Sequence, residues 1–478
     1  MPATLQDIRE AFTLAGGATT LTPKIIDRLL NELQRKYGPM YRAFPRKTWL
    51  TDIFYFNQRT ALPKAQFTTE APPTSGTGSV AASNSTYVQQ SYGIKHTQSA
   101  IDISTFAAKV ATVNGNLFDL ELLGGAKSME WLEETTHMWG SSAATVNTYR
   151  PQWNGNDLLI ASGNKVDAGT KTLSLQMMDN AIDAVRGVYA GELGTDYFFA
   201  MTPRMQSYLN GLFVNQQRFN MAMTKIFTRT DFGDPNASVA DSAIDAGVEV
   251  QTYRSIPIVI SSFLTSQGSM GALTQTSNNT GSGGGLVTTS TYYYVLEAVT
   301  KYGLTVASAE LSASPNSNGN SIVISWTTPT PTDAYGNTID IIGYRLFRST
   351  TSGAESLYAT IAAYDTSDAA VTSFTDTGSA QNPAVTNTLY WATITTTGTA
   401  ASDGVTFPRV QTGSQIVEDI FLIPRDPEIL VIPEVNPITT QMLAPVNART
   451  RQFALTADKT MALRAAAFAA KIERVRAA

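Results

Sequence analysis

The chain has 478 residues, enough for two or three domains with cores of their own, and its lack of cysteine excludes disulfides, thiolate nucleophiles and cysteine-ligated metals. Only 15% of the residues are charged, and a net charge of −5 gives no basic surface for tight nucleic-acid binding. There is no apolar run long enough to cross a membrane and no secretion-signal layout at the start, so we expect a soluble chain that is not exported.

Residues 1–60 are expected to form an arm followed by a helix. The first 17 residues are weakly patterned, Thr22 and Pro23 supply an N-cap and a first-turn proline, and Gly38 ends the helix. Its apolar side chains, which include Ile25 and Leu29, form one stripe. That stripe is equally typical of a helix packed on its own domain and of an arm laid on a neighbouring chain.

Residues 61–99 form a long stretch that is poor in large apolar side chains. β-like segments at 62–68 and 86–95 flank a run of Thr, Ser and Gly at 74–79, which predicts a two-stranded excursion with a polar tip. Loops of this length without a core are uncommon unless they bind something, so we favour a binding loop over disorder. The candidate contact residues in this loop are Lys64, Phe67, Tyr87, Tyr92 and Lys95.

Residues 116–140 predict the longest helix of the chain. Asn116 is a suitable N-cap, Asp119 favours the positive helix end, and Gly140 is a natural stop. At 1.5 Å per residue the helix would be about 35 Å long, enough to cross a domain. Apolar residues follow the helical period on one side, whereas the polar side, which we expect to be solvated, carries Glu130, Glu133, Glu134 and His137.

The next 120 residues predict a layered unit of helices and strands. An amphipathic helix begins at Leu175 and ends near Gly194, a buried strand covers 197–201, and Thr202-Pro203 starts a helix that runs to Leu212. Two further strands, 248–253 and 256–261, are expected around a tight turn at Arg254-Ser255. Alternating elements of this kind indicate an α/β or α+β unit.

Residues 265–413 differ in composition and are predicted to be an all-β insertion. Ser, Thr, Gly and Asn dominate up to residue 290, and the glycine-rich run at 281–285 is typical of a linker. Short strands then follow at 292–299, 322–326, 343–348, 357–362, 373–375 and 388–395. We expect a small sandwich with its own core that can be deleted without loss of the main domain, whose strands return after residue 414.

The sequence contains no constellation typical of an enzyme. It has two histidines, His96 and His137, which we interpret as solvated or satisfied side chains. The stretch from Gly124 to Ser128 lacks the spacing and the strand-to-helix context of a phosphate-binding loop. We therefore predict no catalytic residue, no cofactor and no metal.

The order of arm, polar excursion, long helix, layered core and returning strands resembles the major capsid protein of tailed bacteriophages. Residues 61–99 correspond to the E-loop of that family and residues 116–140 to its spine helix. Residues 197–203, 253–259 and 461–469 resemble its axial and peripheral segments. The inserted segment resembles an immunoglobulin or fibronectin type III module whose Tyr-rich strand comes first, as in a permuted order.

The resemblance implies an α+β chain with the tailed-phage major capsid fold of the Hong Kong 97 type and an inserted immunoglobulin-like sandwich. Its parts would be an arm (1–60), an E-loop (61–99), peripheral and axial domains (100–264), the insertion (265–413) and the returning core (414–478). The implied function is an icosahedral shell of hexamers and pentamers around phage DNA, assembled in the host cytoplasm. The implied partners are further copies of the chain and scaffold, portal and decoration proteins, with no membrane.

Some relatives cross-link an E-loop lysine covalently, and Lys64 or Lys95 has a suitable position, but we expect non-covalent contacts. Two other classes stay open from the sequence alone. One is a tail-tube, fibre or surface-layer protein, since these also contain Ser/Thr-rich β modules. The other is a carbohydrate-active enzyme with a fibronectin-like appendage, which would need a pair of carboxylates that we cannot nominate.

Overall fold

The computed structural model describes residues 38–65, 84–104, 117–142, 144–146, 151–168, 171–189, 191, 193–221, 251–264, 268, 270–279, 285–316, 321–332, 337–378, 417–443 and 450–477. The chain divides into two compact units. The smaller contains residues 1–36, 99–126 and 440–455, and the larger contains 37–98, 127–439 and 456–478. The predicted helix at 22–38 therefore lies almost wholly outside the described residues.

Helices and mixed sheets alternate along the chain, in keeping with the predicted α+β class. The α-helices are α1 (Pro39–Ala43), α2 (Leu117–Trp139), α3 (Asn156–Leu159), α4 (Leu175–Tyr189) and α5 (Pro203–Met221). The strands are β1 (Arg46–Thr48), β2 (Ile53–Ala61), β3 (Thr86–Gly93), β4 (Lys95–Ser104), β5 (Ala144–Val146), β6 (Lys165–Asp167), β7 (Tyr197–Met201), β8 (Thr252–Tyr253), β9 (Ile256–Ile260), β10 (Thr274–Asn279), β11 (Tyr292–Thr300), β12 (Gly303–Leu304), β13 (Leu311–Ala313), β14 (Ser321–Ser325), β15 (Ile341–Ser349), β16 (Ser356–Ala362), β17 (Ser373–Asp376), β18 (Val417–Pro424), β19 (Leu430–Leu443), β20 (Thr450–Lys459), β21 (Ala462–Leu463) and β22 (Ala470–Arg476).

The long helix α2 confirms the prediction to within one residue at each end. It has 23 residues, and the N–H of Gly140 donates to the carbonyl of Thr136 at 2.9 Å just beyond its last turn. The chain returns to this end of the helix at Gly155, whose N–H donates to the carbonyl of Gly140 at 2.9 Å. Two glycines therefore meet where the helix stops.

A six-stranded sheet in the order β6-β22-β18-β7-β9-β8 forms the layered core of the larger unit. Every residue of β7 is buried, and the side chains of α4 and α5 pack with it in one apolar cluster. The Thr202 hydroxyl caps α5 by accepting a hydrogen bond from the N–H of Met205 at 3.1 Å. Arg254 and Ser255 have φ of 47° and 66°, the left-handed pair of a tight hairpin turn, which confirms the predicted turn between β8 and β9.

The inserted segment contains two sheets that share a core. A three-stranded sheet, β10-β14-β17, faces a six-stranded sheet in the order β12-β11-β15-β16-β5, in which β13 also pairs with β11. Ile322 and Phe374 of the first sheet and Tyr294 and Leu346 of the second lie in the same apolar cluster. The Tyr-rich strand β11 occupies the middle of the larger sheet, where its alternate side chains can enter two cores. The predicted strand at 388–395 lies outside the described residues.

The other face of the six-stranded sheet is not a free surface, which corrects the expectation that the insertion can be deleted without loss. Val299 and Phe347 belong to the same apolar cluster as Trp139 and Phe421 of the main core. β5, which precedes the insertion by more than 100 residues, pairs in parallel with β16. Deletion of 265–413 would therefore uncover apolar core, and the bounds of this domain stay a proposal.

The first strand of the predicted excursion lies earlier than the sequence suggests. It is β2, Ile53–Ala61, whereas residues 62–65, the described part of the predicted strand, are not in a strand. The second strand, β3, falls within the predicted range. In the described part of the chain, none of the helices combines the length and the apolar character needed to cross a bilayer.

Candidate subunit-contact surface

β2 and β3 form an antiparallel ribbon that pairs with no third strand among the described residues. The register runs from Ile53 opposite Gly93 to Ala61 opposite Thr86. Because successive side chains of a strand point to opposite faces, Phe54 and Phe56 lie on one face and Tyr55 lies on the other. The ribbon therefore has an inner face toward the body of the larger unit and an outer face away from it.

The base of the ribbon is fixed by aromatic packing on the inner face. Phe54 is 1% exposed and clusters with Val431, and the ring of Trp49 lies 4.8 Å from it, edge to face. Phe56 stacks on Tyr92 at 6.0 Å between ring centroids, and the Tyr92 hydroxyl donates to the carbonyl of Leu463 at 3.3 Å. These contacts hold the root of the ribbon in one orientation.

The outer end of the ribbon is exposed on both faces. Tyr87 is 65% exposed and Val88 39%, and Leu62, just beyond β2, is 67% exposed, while Tyr55, nearer the root, is 46% exposed. Tyr87 lies directly opposite Arg59. Tyrosine and arginine are the residue types enriched at protein–protein contacts, and a two-stranded ribbon alone is marginally stable. We call the side chains of Tyr55, Asn57, Arg59, Tyr87, Gln89 and Ser91 the outer face.

The structure places the described members of the predicted contact set at different parts of the ribbon and beyond it. Tyr87 lies on the outer face, Lys64 is exposed beyond the end of β2, and Lys95 is half-buried at the start of β4. Tyr92 is engaged at the base by its ring and its hydroxyl. Phe67, Ile25 and Leu29 lie outside the described residues. Tyr55 and Arg59 were not among the predicted contact residues, because the predicted excursion began after them.

The polar side of α2 is buried, which corrects the expectation that it is solvated. Glu133, Glu134 and His137 each have 0% exposure. Glu133 forms an ion pair with Lys459 at 2.9 Å. The His137 ring lies 5.2 Å from the Phe44 ring, and burial lowers the His137 pKa to about 3, so this imidazole is neutral at ordinary pH.

His96, in contrast, is exposed as expected. Its side chain is 82% exposed, and its Nδ1 lies 2.6 Å from Oδ1 of Asp458. The amide of Asn436 also donates to Asp458. Burial alone would raise the pKa of Asp458, but its hydrogen bonds with His96 and Asn436 hold that pKa below its ordinary value. His96 is therefore a satisfied surface side chain, as the sequence suggested.

A buried charge cluster joins the inserted sheet to the main core. Lys471, fully buried, pairs with Asp157 and, at 2.9 Å, with Asp419. Arg345 of β15 reaches the second oxygen of Asp157 at 2.5 Å, and Glu297 lies directly opposite Arg345 on β11. Burial raises the pKa of Asp419 to about 7 and that of Glu297 well above its ordinary value. Charged groups of the inserted sheet and of the main core thus meet in one buried cluster.

The described residues offer little to a ligand or a metal. Within them, no group of three or more His, Asp or Glu side chains is arranged to hold a metal ion. The buried carboxylates of Asp157 and Asp419 are paired with Lys471 or Arg345 inside the chain and are not placed around an open cleft. The described feature that leaves hydrogen-bonding strand edges and apolar side chains uncovered is the ribbon.

No family model matches the sequence, and no curated protein matches it. Solved structures do match over nearly the whole length of both chains. The capsid of the native GTA particle is 9% identical with a TM-score of 0.45, covering 97% of this chain and 98% of its own. The structure from Gordonia phage Cozz is 8% identical with a TM-score of 0.44, covering 98% of this chain and 95% of its own. The holo-SrpI encapsulin complex from Synechococcus elongatus PCC 7942 is 9% identical with a TM-score of 0.41, covering 96% of this chain and 95% of its own. These identities and TM-scores are too low to assign a function, so the function is inferred from the contacts within this chain.

Proposed function

We propose that this chain is a structural protein that assembles with copies of itself into a closed shell. The observation that carries the proposal is the ribbon of β2 and β3, whose root is fixed by Phe54 while its outer face has exposed tyrosines, and which pairs with no third strand among the described residues. A segment so built gains stability when its apolar and hydrogen-bonding groups are covered by another surface. A second copy of the chain supplies such a surface wherever the protein is concentrated.

A limb of this kind suits repeated, individually weak contacts. The inner face of the ribbon packs on the body at Phe54 and Tyr92, whereas its outer face is left for contact with another subunit. Many such contacts per particle give a stable lattice even when each is weak. The low content of charged residues, 15%, fits a chain whose surface is covered by neighbours, and the net charge of −5 fits a wall that encloses DNA without gripping it.

In its full form the proposal is a phage major capsid protein that forms hexamers and pentamers of an icosahedral shell around the genome. The partners are then further copies of the chain, with scaffold, portal and decoration proteins at particular stages. The inserted sandwich would be displayed through its three-stranded sheet, because Ser373 and Thr375 of that sheet are exposed while the six-stranded sheet packs on the core. On this proposal the chain has no enzymatic activity.

The second candidate is a tail-tube, fibre or surface-layer protein, which would also use exposed ribbons to contact its copies. The long buried helix α2, whose polar side is tied to segments at both ends of the sequence, favours a plate-like shell subunit over an elongated fibre. A carbohydrate-active enzyme has no support among the described residues, because the buried carboxylates of Glu133, Glu134 and Asp157 are held by cations or backbone N–H groups and not presented in a cleft.

The proposal predicts that the outer face of the ribbon is needed for assembly but not for folding. In the double variant Tyr55→Ser/Tyr87→Ser, circular dichroism and the thermal midpoint should match those of the unaltered chain, because both rings are largely exposed. Buried interface tyrosines each contribute about 2 kcal/mol, so the concentration at which particles form should rise by at least about tenfold. Light scattering over a dilution series of the variant and of the unaltered chain measures the concentration at which particles form.

The matched control is Val287→Ser, which removes apolar surface from a residue that is 41% exposed in the inserted segment. It should leave the assembly concentration unchanged. Assembly of the double variant at the same concentration as the unaltered chain would refute the proposed role of the ribbon.

A further inference from the structure

The carboxylate of Glu134 lies at the centre of a cluster of donors from two distant segments. Its Oε1 accepts hydrogen bonds from the N–H of Met40 at 3.0 Å and from the Ser261 hydroxyl at 3.1 Å. Its Oε2 accepts from the N–H of Tyr41 at 2.6 Å. These partners lie about 94 and 127 residues away in sequence, and the side chain is fully buried. Glu134 therefore fastens the segment 38–44 to the long helix.

The backbone before α1 is shaped around this carboxylate. A Cβ atom on Gly38 would lie 2.8 Å from Oε2 of Glu134, closer than packed carbons allow, so the glycine is what permits the approach. α1 has no side-chain cap of its own, and the Glu134 carboxylate takes the place of one. Met40, 0% exposed, and Phe44, 4% exposed, seat the rest of the segment in the apolar core.

Glu134 has no opposite charge beside it. Among the described residues no lysine or arginine lies within ion-pair distance of it, and the nearest carboxylate on the same helix face is Glu130. The cations of this region are directed elsewhere: Arg42 lies 3.8 Å from Glu130, and Lys459 pairs with Glu133. A buried anion whose compensation comes from neutral donors alone is costly to desolvate.

We propose that the contact between Glu134 and the segment 38–44 is a pH-sensitive clasp, closed when the carboxyl group carries a proton and opened more readily when it is ionised. This clasp belongs to the single chain and does not depend on the proposed assembly. Other titratable groups in the neighbourhood are Glu130, Glu133 and His137 on α2, Tyr41 and Arg42 on the segment, Arg46 on β1, Glu434 on β19 and Lys459 on β20.

Several of these groups are unsuited to a response near neutrality. His137 stays neutral because burial holds its pKa near 3, and Glu133 is matched by the ammonium of Lys459. Burial raises the pKa of Glu134 to about 7, against the hydrogen bonds from Tyr41, Met40 and Ser261, which lower it, and with the charge of Glu130, which raises it further. The group that changes charge near pH 7 is therefore the one that holds the clasp.

The sign of the effect follows from proton linkage. The closed clasp binds the proton more tightly than an open state in which Glu134 meets water, where its pKa is the ordinary 4.5. Stability of the closed state is thus greatest below the ordinary value and is lost as pH rises through about 7. Between pH 6 and pH 8 the opening equilibrium should increase by about tenfold.

Hydrogen–deuterium exchange of the full chain tests the clasp directly. Protection of the Met40 and Tyr41 amides, corrected for the intrinsic pH dependence of exchange, should fall by about tenfold from pH 6 to pH 8. Amides of β14, which lies in the inserted sandwich, serve as the internal reference and should keep their corrected protection.

Two variants separate the roles of the carboxylates. Glu134→Gln is uncharged at every pH and should show the same corrected protection at pH 6 and pH 8, whereas Glu121→Gln, at an exposed position on the same helix, should keep the step. Protection at Met40 and Tyr41 that is constant or rises with pH in the unaltered chain would overturn the proposal, and that test stands even if a variant fails to fold. A step in Glu134→Gln equal to that of the unaltered chain would overturn it as well.

Discussion

Replacing Gly155 with alanine is expected to lower the stability of the larger unit by at least about 3 kcal/mol, at the upper end of what overpacking costs. The added Cβ would lie 2.6 Å from the carbonyl carbon and oxygen of Met138 and 2.7 Å from the nitrogen of Trp139. These are backbone atoms of the last turn of α2, so no side-chain rotation can relieve the contact. The end of the helix would have to move away from Gly155, and this movement would strain the hydrogen bond from the Gly155 N–H to the carbonyl of Gly140.

Urea-induced unfolding followed by tryptophan fluorescence measures this effect, because Trp139 and Trp153 are both buried beside the junction. Gly163→Ala is the matched control, since a Cβ at that position meets no other atom within 4 Å. The control should change stability by no more than about 0.5 kcal/mol. An unfolding midpoint for Gly155→Ala equal to that of the control would contradict the close approach of the two backbones.

The second large effect is expected for Lys471→Met, which removes the central cation of the buried charge cluster. Its ammonium pairs with Asp157 and Asp419 and lies 5.5 Å from the ring of Trp139. Breaking a buried ion pair from one side typically costs about 3–5 kcal/mol, because the remaining charge is left without compensation. Arg345 still contacts Asp157, so the burden of the variant falls mainly on Asp419.

The loss should grow with pH. Burial raises the pKa of Asp419 to about 7, although Lys471 opposes the shift, so removing Lys471 raises that pKa further. A carboxyl group whose pKa is higher in the folded than in the unfolded state costs stability as pH rises between the two values. We therefore expect a larger decrease in the urea midpoint at pH 8 than at pH 5.

The control for the cluster is Lys171→Met, the same substitution at a half-buried lysine that none of the ion pairs above involves. It should leave the midpoint nearly unchanged at both pH values. A loss below about 1 kcal/mol for Lys471→Met, or an equal loss at pH 5 and pH 8, would show that the cluster does not carry the junction between the inserted sheet and the core.

The elements that local sequence signals determine were predicted well. The sequence has an asparagine before α2 and a glycine after it, and the ends of the helix lie within one residue of the predicted ones. β7 is a compact apolar run directly before a Thr-Pro helix start, and it is fully buried. The turn at Arg254-Ser255 was placed correctly because two short apolar runs border it. In each case the information lies within a few neighbouring residues.

The environment of the polar side of α2 could not be predicted, because its partners come from remote parts of the chain. Lys459 is 326 residues from Glu133, and Ser261 is 127 residues from Glu134. Helical periodicity reports which side chains share a face and is silent about what that face meets. A glutamate with buried donors and one in water look the same in sequence.

The predictions for the start of the ribbon and for the independence of the insertion failed for a related reason. The predicted excursion began at residue 61, whereas β2 begins at Ile53 and only its inner face is packed. The insertion was expected to be separate because its composition changes abruptly. Nothing local marks that β11 and β15 present one face to their own sandwich and the other to Trp139 and Phe421.

Electron microscopy of the purified full-length chain at high concentration tests the shell proposal most directly. The account predicts closed particles of uniform diameter in which the outer face of the ribbon is covered by a neighbouring subunit. A compact monomer at the same concentration, with Tyr55 and Tyr87 still open to solvent, would contradict it.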